Sequence, residues 1–252
     1  MKKLQVICFY WEGDRWKSQI SGSVSHDPSY YRLLQRAGTV DLELAARYVN
    51  NLFAGVTRFA SEPFDFICFT NEPLKVNDGI ELRPFKPPTD RGVLPRLYMF
   101  SEESGLYGHQ VLCLDIDVVI VGNLKPLMSY RGQFAARNKF KHNEEFKLDG
   151  DVMSFQAGPE NTERFLTPFL NNVEDSLALT QGRERYWMRH VAEDIADRWQ
   201  IMSPGAVLSL KRHMKNKIGI PPGACIVSFH GFPRPHQADE VWIKKYWHDK
   251  TE

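Results

Sequence analysis

Little in this sequence points to a membrane, a disulfide scaffold or a polyanion. No apolar run approaches the roughly 20 residues needed to cross a bilayer, so no transmembrane segment is expected. Met1-Lys2-Lys3 and the apolar residues 4–11 have the outline of a secretory leader. That run is short and mixed, however, Glu12 and Asp14 follow at once, and no small-residue cleavage site is present. The expectation is a first β-strand. With 32 Lys and Arg against 31 Asp and Glu, the formal charge is +1, too small for the broad positive field that binds nucleic acid. Cysteine is scarce. Cys8, Cys68, Cys113 and Cys225 each lie in an apolar, strand-like run, and none forms a CxxC pair. That usage fits reduced core thiols in a cytoplasmic protein better than a zinc site or a disulfide. There is no internal repeat and no low-complexity tract, so a single domain over residues 1–252 is the economical expectation.

Four apolar runs read as buried strands: residues 4–11, 64–70, 111–121 and 224–230. Runs that are apolar at nearly every position suit strands covered on both faces of a mostly parallel sheet. Between the first two lies a helical stretch, residues 39–58, with Leu42, Leu44, Ala45, Ala46, Tyr48, Val49, Leu52 and Phe53 on a broad apolar face and Asp41 placed to cap it. A βαβ beginning makes the expected fold class α/β, a Rossmann-like domain whose mostly parallel central sheet is flanked by helices. Further helices are expected over residues 94–104 and 184–199. Residues 83–88 (RPFKPP) and 218–223 (IGIPPG) read as connections, and the Ser- and Gly-containing residues 18–29 as a loop.

The stretch VLCLDIDVVIVGNL, residues 111–124, carries the chemistry. Read as a continuous strand, it sends Asp115 and Asp117 to the same face. Two carboxylates there repel each other and lose hydration, a cost of several kcal/mol unless something compensates. A cation or a complete set of hydrogen-bond donors is implied. Oxygen ligands favour Mg²⁺ or Mn²⁺, and an added imidazole tilts the choice towards Mn²⁺. The bland alternative has one Asp capping a following helix and the other pairing with an arginine.

The same stretch resembles the DxD strand of GT-A glycosyltransferases, particularly the glycogenin-like family 8. Residues 95–101 (PRLYMFS) are similar to the helix before that strand, and residues 149–158 (DGDVMSFQAG) to the later strand that contacts sugar or acceptor. Residues 227–236 (VSFHGFPRPH) are similar to the family's HGxxKPW-like motif. The matches run in the family's order over roughly residues 4–236. The resemblance implies a GT-A fold and a divalent cation, Mn²⁺ or Mg²⁺, held by Asp115, Asp117 and His230 against the diphosphate of a nucleotide-sugar, a UDP-sugar by analogy. It implies donor contacts from Ile116 between the two acids, from Arg96, and from Arg234 in the place of the family's Lys. It also implies transfer, with retention, to an acceptor that is a glycan, lipid or protein. Asp149 stands where the family has Asn, Arg183 where it has Asp, and His236 where it has Trp. Glu184 corresponds to the Gln or Glu that faces the anomeric carbon, and with Asp149 it is the catalytic candidate; an ordinary first-turn acid is the alternative for Glu184.

Independently of that resemblance, a departing diphosphate needs its charge neutralised, which a Lewis-acid metal and nearby arginines can do. In open α/β sheets ligands bind beyond the carboxyl ends of the strands. Phe9, Tyr10 and Trp11 end the first apolar run, where a nucleobase could stack on one of them, and Thr70-Asn71 ends the second, where base or ribose could be met. Two other functions share these features. One is a Mg²⁺-dependent phosphohydrolase of the haloacid-dehalogenase type, with Asp115 as nucleophile and Asp117 as acid/base. The other is a catalytically degenerate module that binds nucleotide-sugar.

Overall fold

A computed structural model describes residues 3–11, 40–140, 147–215 and 218–250; the loop expected over residues 18–29 lies outside them. Ten strands occur among the described residues: β1 (Leu4–Phe9), β2 (Phe64–Phe69), β3 (Ile80–Arg83), β4 (Gln110–Leu114), β5 (Val118–Ile120), β6 (Phe134–Asn138), β7 (Leu148–Gln156), β8 (Asp197–Arg198), β9 (Val207–Ser209) and β10 (Ile226–Ser228). Seven form a sheet in the order β3-β2-β1-β4-β7-β6-β8, and β5, β10 and β9 form a second, three-stranded sheet. In the large sheet only β7 runs against its neighbours, β4 and β6.

The apolar-everywhere strands are explained by cover on both sides. Along β1, Leu4, Val6 and Cys8 join one hydrophobic cluster with Ala45, Val49, Leu52 and Val56. Ile7 and Phe9 join another with Leu97, Phe100, Phe165 and Trp187. Those four residues of the first cluster recur at helical spacing on α1 (Leu42–Phe59), whose Asp41 cap accepts from the Leu44 amide at 2.8 Å. Replacing such a cap typically costs about 1 kcal/mol. The cysteines of the described chain are all free and buried, as expected for core thiols. No helix among the described residues is long and apolar enough to cross a membrane.

Four expectations need correction. The run at residues 111–121 is not one strand: it stops at Leu114, turns through Asp115-Ile116-Asp117, and resumes as β5 in the other sheet. The two carboxylates therefore flank a turn and do not share a strand face, which spares the sheet two buried charges. The run at residues 224–230 contributes β10 to the small sheet, antiparallel to β5. The stretch at 94–104 is two pieces of 3-10 helix, Leu94–Phe100 and Glu102–Ser104. Every residue from Leu94 to Phe100 is buried, so no solvent-facing stripe exists for an amphipathic α-helix. The helix expected over 184–199 ends at Ala192; the chain then forms β8, and Trp199 crosses to the other cluster, its indole donating to Val152 O at 3.0 Å. Two further helices are α2 (Val173–Thr180) and α3 (Glu184–Ala192).

Candidate functional site

Register brings most of the charged residues to one edge. Because β1, β2 and β4 are parallel, their carboxyl ends Phe9, Phe69 and Leu114 lie together. Because β7 is antiparallel to β4, its beginning lies at the same edge: Leu114 faces Val152, and the Asp115 amide donates to Asp151 O at 2.9 Å. The end of β6 joins it, with Arg137 opposite Asp149. In the small sheet Ser228 faces both Val118 and Ser209, which carries Ser209 and His230 alongside Asp117. This is the edge where open α/β sheets bind ligands.

Arginines hold the acids there. Arg96, 6% exposed, pairs with Asp115, lies 3.3 Å from Glu184 Oε2, and donates to Gly150 O at 2.9 Å and Cys113 Sγ at 3.3 Å. Burial works against its charge, but Glu184 and then Asp115 outweigh that and keep the guanidinium firmly protonated. Arg137, 2% exposed, pairs with Asp151 and lies 3.3 Å from Asp149 Oδ2. Asp151 also accepts from Ser228 Oγ, tying the two sheets together behind the turn. Arg234 Nη1 is 3.5 Å from Asp117 Oδ2. Burial would raise the Asp149 carboxyl, but Arg137, Arg185 and His230 prevail and hold it below the usual carboxylate range. His230 goes the other way: burial, then Arg137, push its imidazole down to about 4 against the pull of Asp151 and Asp149. It is neutral at pH 7, with Nε2 2.8 Å from Ser209 Oγ.

Asp115, Asp117, Asp149, Glu184, Arg96 and Arg234 thus meet at one edge. Glu184, 2% exposed, faces the protein interior against Arg96; a Cβ on Gly150 would come within 3.0 Å of its Oε2. Ile116 sits at the tip of the turn, half-buried. Phe9 and Tyr10 are not offered for stacking. The Phe9 ring stacks on Phe69 at 4.9 Å, and Tyr10 is buried with its hydroxyl on Val40 O at 3.2 Å, leaving Trp11 as the half-exposed aromatic of that strand end. Asn71 spends both ends of its amide on the backbone of Phe85, at 2.8 and 3.0 Å. His236 Nδ1 meets Tyr48 Oη at 2.7 Å, fixing the segment after Arg234 to α1.

For a divalent cation the two acids of the turn fit in kind: both are half-buried carboxylates, the oxygen donors such an ion takes. The histidine as placed does not complete a set, since no group of three His, Cys, Asp or Glu side chains among the described residues is gathered to hold a metal. Sequence reading missed Arg137, Asp151, Ser209, Ser228 and Arg185. The Asp149-Gly150-Asp151 spacing carried a signal of the same kind as Asp115-Ile116-Asp117; nothing in the sequence marked the two serines.

No family model and no curated protein matches the sequence. Among solved structures, the apo form of the glycosyltransferase GlyE from Streptococcus pneumoniae TIGR4 aligns with 96% of the chain at a TM-score of 0.57 and 12% identity. A second GlyE structure aligns with 96% at 0.55 and 11%. The chain spans 57% and 58% of those two chains. The galactosyltransferase LgtC, in complex with donor and acceptor sugar analogs, aligns with 96% of this chain and 93% of its own at 10% identity and a TM-score of 0.46. At such identities the GlyE likeness is one of fold: a GT-A-type α/β architecture with a mostly parallel sheet flanked by helices.

Proposed function

We propose that the chain is a glycosyltransferase that moves a sugar from a nucleotide-sugar, a UDP-sugar by preference, to an acceptor glycan, lipid or protein. The observation that carries this reading is the Asp115-Ile116-Asp117 turn at the carboxyl edge of β4, in a fold shared with a known glycosyltransferase. The family 8 resemblance of the sequence supports the UDP donor, the DxD role of the turn and retention at the anomeric centre. Four buried free thiols agree with a cytoplasmic setting.

Asp115 and Asp117 are the residues that would hold Mn²⁺ or Mg²⁺. The ion would supply Lewis-acid neutralisation of the leaving diphosphate. His230, whose Nε2 is engaged with Ser209, is the imidazole that the family resemblance assigns to the same ion. Arg234, beside Asp117, supplies positive charge for the phosphates, and being buried it acts in a low dielectric where such charge counts for more. Arg96 is already spent between Asp115 and Glu184, so its role is to brace the first carboxylate of the turn and not to reach for donor. Asp149 stays ionised and half-buried next to the turn, suited to orient a hydroxyl or stabilise positive charge developing at the sugar. Glu184 acts on the reaction through Arg96 unless it leaves its buried pair.

Release of UDP from UDP-sugars, compared with release of phosphate from a generic phosphoester, each with and without Mn²⁺, tests this reading. UDP release that depends on Mn²⁺ supports it. Phosphate release alone would favour a phosphohydrolase, and binding of UDP without turnover a degenerate module.

A further inference from the structure

The small sheet brings one more cation to the edge, from a segment the donor site as described does not use. Strand β9 ends at Ser209, level with Ser228 of β10, and a short helix, Leu210–His213, follows at once. Ser209 Oγ lies 2.8 Å from His230 Nε2, so this corner is fixed against the histidine. Lys211, two residues on, lays its side chain back over the residue after that histidine: a Cβ on Gly231 would meet its Nζ at 3.9 Å. The ammonium is near enough to His230 to help keep the imidazole neutral. Three residues beyond Gly231, Arg234 Nη1 lies 3.5 Å from Asp117 Oδ2. The segment from Gly231 to Arg234, which spans at most about 11 Å, is thus met by a cation at either end.

The cations of this edge are not balanced alike. Acids outweigh burial at Arg96, through Glu184 and Asp115, and at Arg137, through Asp149 and Asp151. Lys211 is exposed as a residue, yet enough protein crowds its ammonium to ease loss of the proton, and no carboxylate among the described residues opposes that. We propose that Lys211 is a binding residue for the donor's diphosphate, holding a phosphate oxygen at the Gly231 end of the segment while Arg234 acts at the other. The inference deepens the glycosyl-transfer reading above and rests on it. Arg234 is already shared with Asp117, so a second positive group adds to the neutralisation that a departing diphosphate requires. An ammonium on a flexible four-carbon stem suits that task, since it acts as a point charge and needs no fixed fork geometry.

Titration calorimetry of UDP with Mn²⁺, at 0.05 and 0.5 M salt, tests it on wild type, Lys211→Gln, Lys211→Arg and Arg212→Gln. Lys211→Gln should weaken binding about tenfold at the lower salt, and the gap to wild type should narrow at the higher, because ions screen an exposed pair. Lys211→Arg should keep most of the affinity. Arg212→Gln, which removes an equal charge from the next exposed position of the same helix, should bind as wild type does. The ligand-free melting temperature of Lys211→Gln should match that of wild type, as for other exposed substitutions. Unchanged UDP affinity in Lys211→Gln, an equal loss in Arg212→Gln, a loss that arginine does not repair, or a variant that no longer folds would each overturn the proposal. Wild type that binds UDP, with Lys211→Gln its equal, sinks the lysine contact alone. Wild type that binds no UDP sinks the donor reading and this inference with it.

Discussion

Acid should destabilise the fold through His230, and by an amount large enough to measure. The ring is half-buried at the sheet edge, with Nε2 against Ser209 and the Arg137 guanidinium acting on it, and its imidazole titrates at about 4 in place of the ordinary 6.5. In the unfolded chain it titrates near 6.5. Between those two values the unfolded chain takes up a proton that the folded chain refuses. Stability attributable to this ring is therefore complete above about pH 6.5, falls as the pH drops through the window, and stops falling below about 4, where both states are protonated. At about 1.4 kcal/mol per unit the whole window is worth about 3 kcal/mol. That is an upper bound, because the ring keeps some contact with water and Asp151 and Asp149 lie near enough to accommodate its proton. Against a typical total of about 5–15 kcal/mol the loss is visible. The acid limb alone is not diagnostic, since burial also pushes down His213 and His236. The discriminating quantity is a difference of differences: urea denaturation of wild type and His230→Gln at pH 7.0 and 4.5. Wild type should lose about 2 kcal/mol more than the variant. Parallel losses would mean that the native ring is as solvated as in the unfolded chain, and would refute burial as the cause.

Other outcomes follow from the same edge. Arg96→Met should cost about 3–5 kcal/mol in urea denaturation, because Glu184 and Asp115 lose their buried counter-charge; adding Glu184→Gln should return part of it, a coupling of about 0.5–3 kcal/mol. Gly92→Ala should lower the melting temperature far more than Gly205→Ala. Both glycines have positive φ, but a Cβ at 92 would lie 2.0 Å from the Gly182 carbonyl oxygen, whereas one at 205 meets nothing within 4 Å. Asp117→Asn should leave the ligand-free chain folded, with near-wild-type circular dichroism, and abolish the extra thermal shift that Mn²⁺ plus UDP gives over either alone, about 2.7 kcal/mol at a hundredfold excess over Kd. An unchanged shift in that variant would remove the turn from the donor site.

The parts of the fold legible in the sequence were those set by local rules. Strands β1 and β2 and the helix between them follow from apolar runs, a 3.6-residue stripe and Asp41, and no longer-range contact is needed to place them. The break after Leu114 was hidden because Asp-Ile-Asp contains neither Gly nor Pro, and because the run after it is as apolar as the run before. What decides it is tertiary: Val118–Ile120 finds β10 as partner, 106 to 110 residues downstream, in place of continuing along β1 and β7. The extent of the last predicted helix failed for a similar reason. Trp199 continues the every-fourth-residue series Trp187, Val191, Ile195, yet the two rings belong to different hydrophobic clusters, with the Trp199 indole donating to Val152 O and the Trp187 indole to Phe165 O. At the site, the acids were legible because charge inside apolar sequence is costly. Arg96 and Arg234 were reached only through the family resemblance, as donor contacts, and Arg137, which meets Asp149 and Asp151, not at all, because an arginine in a sequence looks like surface.

The physical reason for singling out the Asp-Ile-Asp turn, that two carboxylates two residues apart in an apolar strand imply a cation or a complete set of donors, applies more fully to a different pair. Asp149 and Asp151 do lie inside a strand, β7, and both are met by one guanidinium, that of Arg137, which is 2% exposed and stacked 4.2 Å over the Phe140 ring. Here the required cation is part of the chain, fixed in place and present before any ligand arrives. That pair is therefore structural first: it costs desolvation, and its return is a rigid link from β6 and β7 to Ser228 of the small sheet. Asp115 and Asp117 differ in kind, since the turn takes them out of the strands and each is shared with a separate arginine at the edge, one of them at 3.5 Å. The metal ion of the proposed function is assigned to the turn because both of its acids are half-buried at the sheet edge, whereas Asp151 is buried inside β7. A structural carboxylate pair should tolerate no loss of its cation. Arg137→Leu is accordingly expected to lower stability by about 3–5 kcal/mol, and addition of Mn²⁺ should not restore it, because a hydrated ion cannot replace a guanidinium buried between two strands. Recovery of the wild-type unfolding midpoint in millimolar Mn²⁺ would show that the Asp149–Asp151 pair, and not the turn, is the metal-binding element.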